Sequence, residues 1–323
     1  MQQFKTKKIE VAKSNLKPKI VFIFLFLIII FCIYFYLAFL KDAKIGNEDV
    51  SFEHYKTYKY FSKLTGEGVE VADEASPQTV AIMIDNNVEA RPQNDIDKAE
   101  IVYEVPVEGN ITRFMAVFNS KDDVSRVGPV RSARPYFLDW LNEYGEVLYL
   151  HCGGSPEALI DLKKAKHFDI NEFYFGNYFW RDSNRLAPHN IYTSSTLWQE
   201  VINSHNYLNE EDWTGLRFGV FNSNTSTEEI SGIKINYSYN YSVGWQFDNF
   251  IGKFRYYQND TIYQTENGQE VLVDNVILQY VQTKIIDDYG RLEIKTVGSG
   301  EARVLRDGKM IRGEWKKDDK NSR

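Results

Sequence analysis

Cysteine is nearly absent from this chain of 323 residues, which contains only Cys32 and Cys152. Because Cys32 lies inside the longest apolar run, the two cysteines cannot supply an intramolecular disulfide framework. Basic residues are also in deficit: 38 lysines and arginines stand against 45 aspartates and glutamates, a net charge of −7. This acidic balance disfavours nucleic acid as a partner, because nucleic-acid binding depends on the neutralisation of phosphates.

The positive charge is concentrated at the N-terminus. Residues 1–19 contain six lysines and one glutamate, a net charge of +5, which leaves −12 for residues 20–323. Residues 20–40 then contain no charged side chain, and 17 of these 21 are Ile, Leu, Phe or Val. A helix of that length is about 31 Å long and matches the hydrocarbon core of a bilayer. The sequence therefore predicts one transmembrane helix at residues 20–40.

The flanking charge predicts the orientation of this helix. Lysine-rich flanks stay on the cytoplasmic side, so we expect residues 1–19 to form a cytoplasmic tail and the bulk of the chain to be extracytoplasmic. The apolar run is too long for a signal peptide and ends in AFLKDAK, a poor cleavage site. Residues 29–31, before Cys32, lack the small residues that lipoprotein processing requires. An uncleaved signal anchor in the cell membrane is the prediction.

The remaining chain divides into three parts by composition. Residues 41–76 are polar and charged and are predicted to be a juxtamembrane linker, irregular or with a short helix. In residues 77–212, strand-like runs at 80–85, 102–107, 113–119 and 145–152 are accompanied by helical patterns at 132–144, 155–166 and 194–205. Strands that alternate with helices indicate an α/β domain. Residues 213–323 contain short β-like runs separated by Gly, Asn and Asp, which predicts a mostly antiparallel β domain. The chain stops directly after a strand-like run, so the sequence leaves open whether this domain is complete at its C-terminus.

A basic island at residues 113–134 is the densest unusual feature. It carries net +3 in an acidic ectodomain, from Arg113, Lys121, Arg126, Arg131 and Arg134 against Asp122 and Asp123. A sharp Gly128-Pro129 turn directly precedes Arg131 and Ser132, at the predicted start of a helix. Free backbone N–H groups at a helix start favour anions, and arginine binds phosphate or carboxylate with two parallel hydrogen bonds. We therefore predict an anion-binding site formed by Arg113, Arg126, Arg131, Ser132 and Arg134.

A glycine-rich turn is the second candidate feature. An apolar strand leads into His151, then Gly153 and Gly154, then a helix capped by Ser155. Strand, glycine turn and helix start together form the common anion cradle of α/β folds, so Gly153, Gly154 and Ser155 are predicted ligand-binding residues. His151 is either a general base, a phosphate donor or a structural residue. Cys152 points to the opposite face of the strand and is predicted to be a small buried residue.

The loop at residues 179–193 is the third candidate feature. It combines Arg181, Asp182, Arg185 and His189 among turn-forming residues, and such a loop can close over a ligand. The spacing of acids and histidines predicts no metal site. Asp85, at the end of a strand, is expected to bind Mg²⁺ or hold an arginine. Glu104 and Glu108 are expected to form salt bridges with the basic island.

Four segments carry a resemblance to a known family. They are residues 80–118 (VAIMIDNNVEARPQNDIDKAEIVYEVPVEGNITRFMAVF), 126–140 (RVGPVRSARPYFLDW), 150–159 (LHCGGSPEAL) and 185–193 (RLAPHNIYT). With these segments the chain resembles the YerB-like family of bacterial envelope lipoproteins over residues 77–320. The resemblance implies an N-terminal and a C-terminal domain of unknown function in an envelope protein. It implies no reaction. The chain departs from the family by its transmembrane segment, which replaces a clear lipobox.

A second resemblance is weaker and concerns order and spacing. The succession of GNITRFMAVFNS, VSRVGPVRSARPYF and HCGGSPEAL is similar to the LytR-CpsA-Psr phosphotransferases. That similarity implies arginines that grip a polyprenyl pyrophosphate, here Arg113, Arg131 and Arg134, with Asp85 near Mg²⁺. The acid that usually follows the arginine is replaced by Ser132.

Three functional hypotheses follow. The first is a non-catalytic envelope protein that binds a phosphorylated or glycopolymer ligand, or a protein partner, through the arginine-rich turn. The second is a phosphotransferase or hydrolase acting on polyprenyl-pyrophosphate-linked precursors, which alone would need Mg²⁺ and would use Asp85, His151 or His189 as catalytic residues. The third is an interaction protein whose aromatic β domain, rich in Tyr and Phe at 237–263, contacts glycan or protein. No cofactor is predicted outside the second hypothesis.

Overall fold

The computed structural model describes residues 28–31, 33–34, 57–205, 207, 213, 215–218 and 226–322. Residues 28–31 and 33–34 are helical, and the rest of the predicted span at 20–40 lies outside the described residues, as do the predicted tail at 1–19 and linker residues 41–56. Within the described ranges, no helix has the length and apolar character needed to cross a membrane. The chain divides into two compact units, Met1–Thr57 and Tyr58–Arg323, and the following paragraphs describe the second.

The second unit begins with a short hairpin and one helical turn. β1 (Tyr60–Phe61) pairs with β2 (Gly68–Val69), and α1 (Ala72–Ala75) follows. A short helix was among the predictions for this part of the linker.

A five-stranded mixed sheet forms the centre of the N-terminal half. Its strands are β3 (Thr79–Asp85), β4 (Ile101–Pro106), β5 (Thr112–Asn119), β6 (Leu148–His151) and β7 (Phe168–Asn171), in the order β4-β5-β3-β6-β7. The four predicted strands are confirmed as β3 to β6. Only β3, β6 and β7 are parallel, whereas β5 is antiparallel to both of its neighbours. The short link between β4 and β5 has no room for a crossover helix, so these two strands pair antiparallel.

Three helices pack around this sheet at the predicted places. They are α2 (Pro135–Leu141), α3 (Pro156–Leu162) and α4 (Ser195–Ser204). The side chains of Ser155 and Ser194 accept hydrogen bonds from the third backbone N–H of α3 and α4, as N-cap residues do. α2 begins three residues after the predicted Ser132, because Ala133 pairs with Gly154 in an extended conformation.

Alternating side chains of the sheet enter two separate cores. Val80, Ile82 and Ile84 of β3 belong to one hydrophobic cluster, and Ala81 and Met83 belong to the cluster on the other face. All five are fully buried. Continuous burial explains why β3 is an unbroken apolar run in the sequence.

The C-terminal half consists of antiparallel strands, as predicted. Its strands are β10 (Thr227–Glu229), β11 (Gly232–Ser238), β12 (Tyr241–Asp248), β13 (Lys253–Gln258), β14 (Thr261–Ile262), β15 (Leu272–Val273), β16 (Asn275–Gln279), β17 (Thr283–Ile285), β18 (Leu292–Ile294), β19 (Gly298–Arg306) and β20 (Lys309–Lys317). They form one sheet in the order β10-β20-β19-β16, a second in the order β11-β12-β13-β14 with β15 beside β13, and the β17-β18 hairpin. The N-terminal half contains one further hairpin, of β8 (Trp180–Arg181) and β9 (Ile191–Tyr192).

The two halves share their cores. Tyr241, Val243 and Tyr256 of the C-terminal half belong to the same buried cluster as the Val80 face of the central sheet. Ile294 belongs to the cluster on the other face. The C-terminal half therefore covers both faces of the N-terminal sheet, and residues from Tyr58 onward form one unit.

Glu104 lies in a polar network between the halves. Its carboxylate accepts hydrogen bonds from Thr112 Oγ1 at 2.7 Å, Tyr241 Oη at 2.8 Å and Tyr256 Oη at 3.0 Å. The predicted salt bridge between Glu104 and the basic island is wrong, because three hydroxyl groups supply its hydrogen bonds instead. Two of these hydroxyls come from the distant C-terminal half, a contact that local sequence does not reveal.

The pH dependence of stability is expected to carry a contribution from Glu104. Burial raises the pKa of this carboxyl above its ordinary value. A carboxyl with a raised folded-state pKa contributes stability below its ordinary pKa, and this contribution is lost as pH rises through the raised pKa. Glu104→Gln removes the titrating group, so the stability of the variant relative to wild type is expected to improve from acidic to neutral pH.

Urea unfolding of the full chain at a series of pH values measures this difference. Glu229→Gln is the matched control, since the Glu229 side chain is 79% exposed. Parallel stability curves for wild type and Glu104→Gln would contradict the prediction.

Candidate functional site

Two turns meet at one edge of the central sheet: the arginine turn, residues 128–134, and the glycine turn, residues 152–155. The backbone N–H of Arg131 donates to the Met83 carbonyl at 2.8 Å, and the N–H of Cys152 donates to the Arg131 carbonyl at 3.1 Å. Arg131 therefore lies between the ends of β3 and β6, as an inserted piece of extended chain. The sequence placed both turns at strand ends, and the structure brings them together.

Close backbone contact explains the glycine in the arginine turn. Gly128 has φ +146°, and a Cβ atom there would lie 2.7 Å from the Ile191 carbonyl oxygen. The Val130 N–H donates to the same oxygen. Gly128 thus allows the turn to pack against β9, which directly follows the loop carrying His189.

Asp85 is the centre of the candidate site. The residue is 2% exposed, and its Oδ2 atom lies 2.7 Å from His189 Nδ1 and 3.1 Å from Arg131 Nε. Its Oδ1 atom accepts from the Asn87 N–H at 3.1 Å. A buried carboxylate needs such partners, because removing its charge from water is costly. Both oxygens are engaged, so Asp85 holds an arginine, one of its two predicted roles.

His189 connects this buried group to the surface. The residue is 6% exposed, and its Nε2 atom lies 3.3 Å from Oε2 of Glu89, whose side chain is 71% exposed. Both ring nitrogens thus face carboxylates. Glu89 was not among the predicted site residues; its only signal was its place in the short polar turn that follows β3.

Arg113 and Ser132 contact each other on the buried side of the site. Arg113 is paired with Asp85 in the β3–β5 ladder, is 6% exposed, and donates from Nη1 to the Ser132 carbonyl at 2.7 Å. Burial lowers the pKa of Arg113 to about 10, so its guanidinium is charged at neutral pH. Arg113 is too deep for direct contact with a ligand from solvent, and Ser132 contributes its carbonyl to this arrangement.

Arg126 and Arg134 are held by acidic side chains. Arg134 forms two hydrogen bonds to the Glu108 carboxylate, at 2.7 and 2.9 Å, which confirms the predicted salt bridge of Glu108. Arg126 pairs with Asp182 and stacks over the Tyr192 ring at 4.0 Å. These contacts fix the chain around the site, and a ligand would have to compete with them.

Arg181 and Arg185 hold the loop that carries His189. Arg181 pairs with Glu172 at 2.9 Å. Arg185 donates to the carbonyls of Ala90 and Pro92 at 2.8 and 2.7 Å, and lies 3.4 Å from Glu266 of the C-terminal half. As ligand-binding residues, Arg126, Arg134, Arg181 and Arg185 remain predictions.

The backbone N–H groups of Gly153 and Ser155 in the glycine turn donate to other groups of the protein. The Gly153 N–H donates to Asn171 Oδ1 at 3.0 Å, and the Ser155 N–H donates to the Ala133 carbonyl at 3.2 Å. Gly154 pairs with Ala133 as an isolated bridge. The predicted cradle of Gly153, Gly154 and Ser155 therefore binds the arginine turn of its own chain.

His151 and Cys152 lie beside the site. His151 is fully buried, with Nδ1 at 2.7 Å from the Gly153 carbonyl and Nε2 at 2.6 Å from Asp169 Oδ1. Burial, aided by Glu172, raises the pKa of the Cys152 thiol to about 11. The prediction that Cys152 is a small buried residue is confirmed, and its protonated thiol is no nucleophile at neutral pH.

The C-terminal half also contributes to the site. The Gln93 side chain donates to the Asp85 carbonyl at 2.7 Å, and the Gln93 N–H donates to Tyr263 Oη at 2.8 Å. Glu266 reaches both Arg126 and Arg185. Within the part of the chain that the structure describes, no three His, Cys, Asp or Glu side chains are grouped to hold a metal ion.

Comparisons with known proteins agree with the first resemblance. The N-terminal domain of a family described as "Protein of unknown function (DUF3048)" matches residues 64–208, and its C-terminal domain matches residues 233–323. A Bacillus subtilis (strain 168) protein named "Putative lipoprotein YerB" is 31% identical over 242 residues, 73% of this chain and 72% of that protein. The crystal structure of YerB protein from Bacillus subtilis matches with a TM-score of 0.70 and 30% identity, covering 80% of this chain and 87% of that chain. The comparisons give no support to the similarity with LytR-CpsA-Psr phosphotransferases.

Proposed function

Because this chain belongs to the DUF3048 family, whose function is unknown, we propose its function from the site itself. The protein is an extracytoplasmic component of the bacterial cell envelope that binds a ligand carrying a phosphate or carboxylate group. Arg131 is the residue that contacts this group. Asp85 and His189 position Arg131 and complete the site.

The envelope location is proposed from the sequence and from one relative. The similar Bacillus subtilis protein carries the name of a lipoprotein, and this chain has the apolar run at 20–40 with lysines before it. We propose a single-pass anchor with a cytoplasmic N-terminus. An impermeant maleimide applied to intact cells is expected to label Tyr289→Cys, in the exposed β17–β18 hairpin, but not Lys7→Cys. The reverse labelling would overturn this orientation.

The proposed role of Arg131 rests on the partners of its guanidinium. Its Nε atom binds Asp85, and its Nη1 atom makes only a 3.4 Å contact with the Pro188 carbonyl. Its Nη2 atom has no hydrogen-bond partner among the residues that the structure describes, and 24% of the side chain is exposed. An arginine anchored on one side, with free N–H groups on the other, suits an incoming anion.

Glu89 places an exposed carboxylate beside His189, the histidine that shares Asp85 with Arg131. Its exposed carboxylate lies 3.3 Å from His189 Nε2, a contact long enough to be weak. Because this contact is long and the Glu89 side chain is exposed, breaking it is expected to cost little. The negative charge of Glu89 near the site therefore opposes an incoming anion.

Thermal unfolding of the full chain, followed by tryptophan fluorescence in detergent, tests the site. Phosphate and pyrophosphate are expected to stabilise the wild type in a saturable manner. Arg131→Ala is expected to weaken the apparent affinity by about 10- to 100-fold, since a charge-assisted hydrogen bond contributes about 1.5–3 kcal/mol. Glu89→Ala is expected to strengthen it by up to about fivefold.

Arg312→Ala is the matched control for loss of one positive charge. Arg312 lies in β20, is 62% exposed and pairs with Glu228 at 3.0 Å. This variant is expected to bind as the wild type does. Equal affinities in the wild type and Arg131→Ala, or no stabilisation of a folded wild type, would overturn the proposed function.

A second candidate function is transfer or hydrolysis of a phosphoryl group. The observation in its favour is the 2.7 Å contact between His189 and the buried Asp85, an arrangement that orients a general base. Phosphate release from pyrophosphate, with and without Mg²⁺, measures this activity. Release that persists unchanged in His189→Gln would exclude His189 as the base.

A further inference from the structure

Four large apolar side chains lie exposed around the edge of the sheet where Arg131 is found. They form what we call the apolar rim: Val88, 72% exposed, Phe173, 68%, Tyr174, 82%, and Leu186, 85%. Val88 follows β3, and Phe173 and Tyr174 follow β7. Because β3, β6 and β7 are parallel, the connections after them emerge at the same edge of the sheet.

Contacts on one side of Arg131 bring two members of the rim together. Arg185 donates to the Ala90 carbonyl at 2.8 Å, so the loop of Leu186 lies against the turn that carries Val88. The His189 N–H donates to the Leu186 carbonyl at 3.0 Å, and Pro188 of the same loop contacts Arg131. Leu186 and Val88 therefore border the site on the loop side.

A contact on the other side of Arg131 places Phe173, and Tyr174 directly follows it in the sequence. A Cβ atom on Gly153 would lie 3.0 Å from the Phe173 ring, so this ring covers the glycine turn next to Arg131. Glu172, directly before Phe173, pairs with Arg181 at 2.9 Å. The rim thus flanks Arg131 from two directions, on protruding connections and not on a flat sheet face.

We propose that the apolar rim docks onto the lipid surface of the membrane, with Arg131 bound to the phosphate of a lipid headgroup. This inference rests on the proposed anion site and names the source of its ligand. Exposed apolar groups around a polar site mark an interaction surface. Aromatic side chains favour the headgroup level of a bilayer, and arginine matches phosphate geometry.

The length of the chain favours a lipid surface as the occupant. Seventeen residues, 41–57, separate the predicted span from Tyr58. Fully extended, they reach about 60 Å, so the proposed anchor would keep the unit within that distance of the membrane. The net charge of −12 on residues 20–323 opposes adsorption to an anionic surface as a whole. Docking is therefore expected to depend on the rim and on single phosphates, and only weakly on the proportion of anionic lipid.

An environment-sensitive label on the rim tests the proposal in the full chain. Leu186→Cys in a Cys32→Ser background is labelled with an NBD fluorophore, since the remaining Cys152 is buried. The protein is reconstituted into phosphatidylcholine vesicles, and membrane association is checked by flotation. We expect blue-shifted NBD emission that lipids with a doxyl group on the acyl chain quench severalfold.

Phe250→Cys is the matched control for the label. Phe250 is also apolar and is fully exposed in the turn between β12 and β13. A label there is expected to emit as in water and to resist quenching. Solvent-like emission at position 186 in protein that floats with the vesicles would overturn the docking proposal. A blue shift at 186 without quenching by doxyl lipids would indicate contact with a second copy, which also overturns it.

A rim variant separates this inference from the proposed function. Phe173→Ser with Leu186→Ser is expected to keep the stabilisation by phosphate and pyrophosphate, because neither side chain contacts Asp85 or Arg131 in the structure. The same pair of substitutions is expected to abolish quenching of a label at Val88→Cys. Quenching that survives them would overturn the rim as the docking surface. If the wild type itself showed no stabilisation by phosphate or pyrophosphate, the proposed anion site would be overturned instead.

Discussion

Replacing Asp85 with alanine is expected to lower the free energy of unfolding by about 3–5 kcal/mol. Asp85 is 2% exposed, and its carboxylate contacts Arg131 and His189. It is also paired with the buried Arg113 on the neighbouring strand. Without it, the buried Arg113 and the partly buried Arg131 lose the carboxylate that compensates their charge. Such uncompensated charges cost more than the original pair contributed. Urea unfolding of the full chain, followed by tryptophan fluorescence, measures the loss.

A control variant and a conservative variant test whether the loss comes from the buried carboxylate. Asp274→Ala removes a carboxylate that is 69% exposed and paired with Lys253, and it is expected to change stability by no more than about 0.5 kcal/mol. Asp85→Asn keeps the size and one acceptor oxygen, and is expected to fall between wild type and Asp85→Ala. If Asp85→Ala were as stable as Asp274→Ala, the carboxylate would not hold the site together.

Helices and strands were predicted correctly from the sequence where capping residues or a continuous apolar run determine them. The helix starting at Pro156 follows from Ser155 as N-cap and proline at the first position, and both occur in the structure. The buried strand Thr79–Asp85 follows from a continuous apolar run. By contrast, α2 begins later than predicted, because Ala133 is drawn into an extended pairing with Gly154. That pairing depends on a residue twenty-one positions away and has no local signal.

The candidate site was predicted in part for the same reason. Asp85, Arg131 and His189 were each recognised from residue type and position, but their mutual contacts join segments far apart in the sequence. Glu89 and Glu266 were missed, because an acidic residue in a polar turn resembles ordinary surface. The net charge of the basic island did not show which arginines lack an acidic partner. Arg126 and Arg134 form ion pairs with Asp182 and Glu108, which are distant in the sequence.

The other large effect is expected where the two halves join through an ion pair with a buried lysine. Lys317 of β20 is 4% exposed, and its Nζ atom lies 2.8 Å from Oε1 of Glu143, which follows α2 in the N-terminal half. Lys317→Ala leaves the Glu143 carboxylate, 19% exposed, without this lysine. Since the lysine is buried while the Glu143 carboxylate keeps partial access to water, we expect a loss of about 2–3 kcal/mol in unfolding free energy.

The neighbouring lysine provides the control for this variant. Lys316 is 74% exposed, and Lys316→Ala removes the same charge from the same strand, so a change within about 0.5 kcal/mol is expected. Combining Lys317→Met with Glu143→Leu is expected to recover most of the stability, because an apolar pair avoids the cost of burying charge. Unfolding measured separately by a probe in each half should then remain a single transition. A Lys317→Ala protein as stable as Lys316→Ala would show that the halves are held together by their shared apolar cores and not by this ion pair.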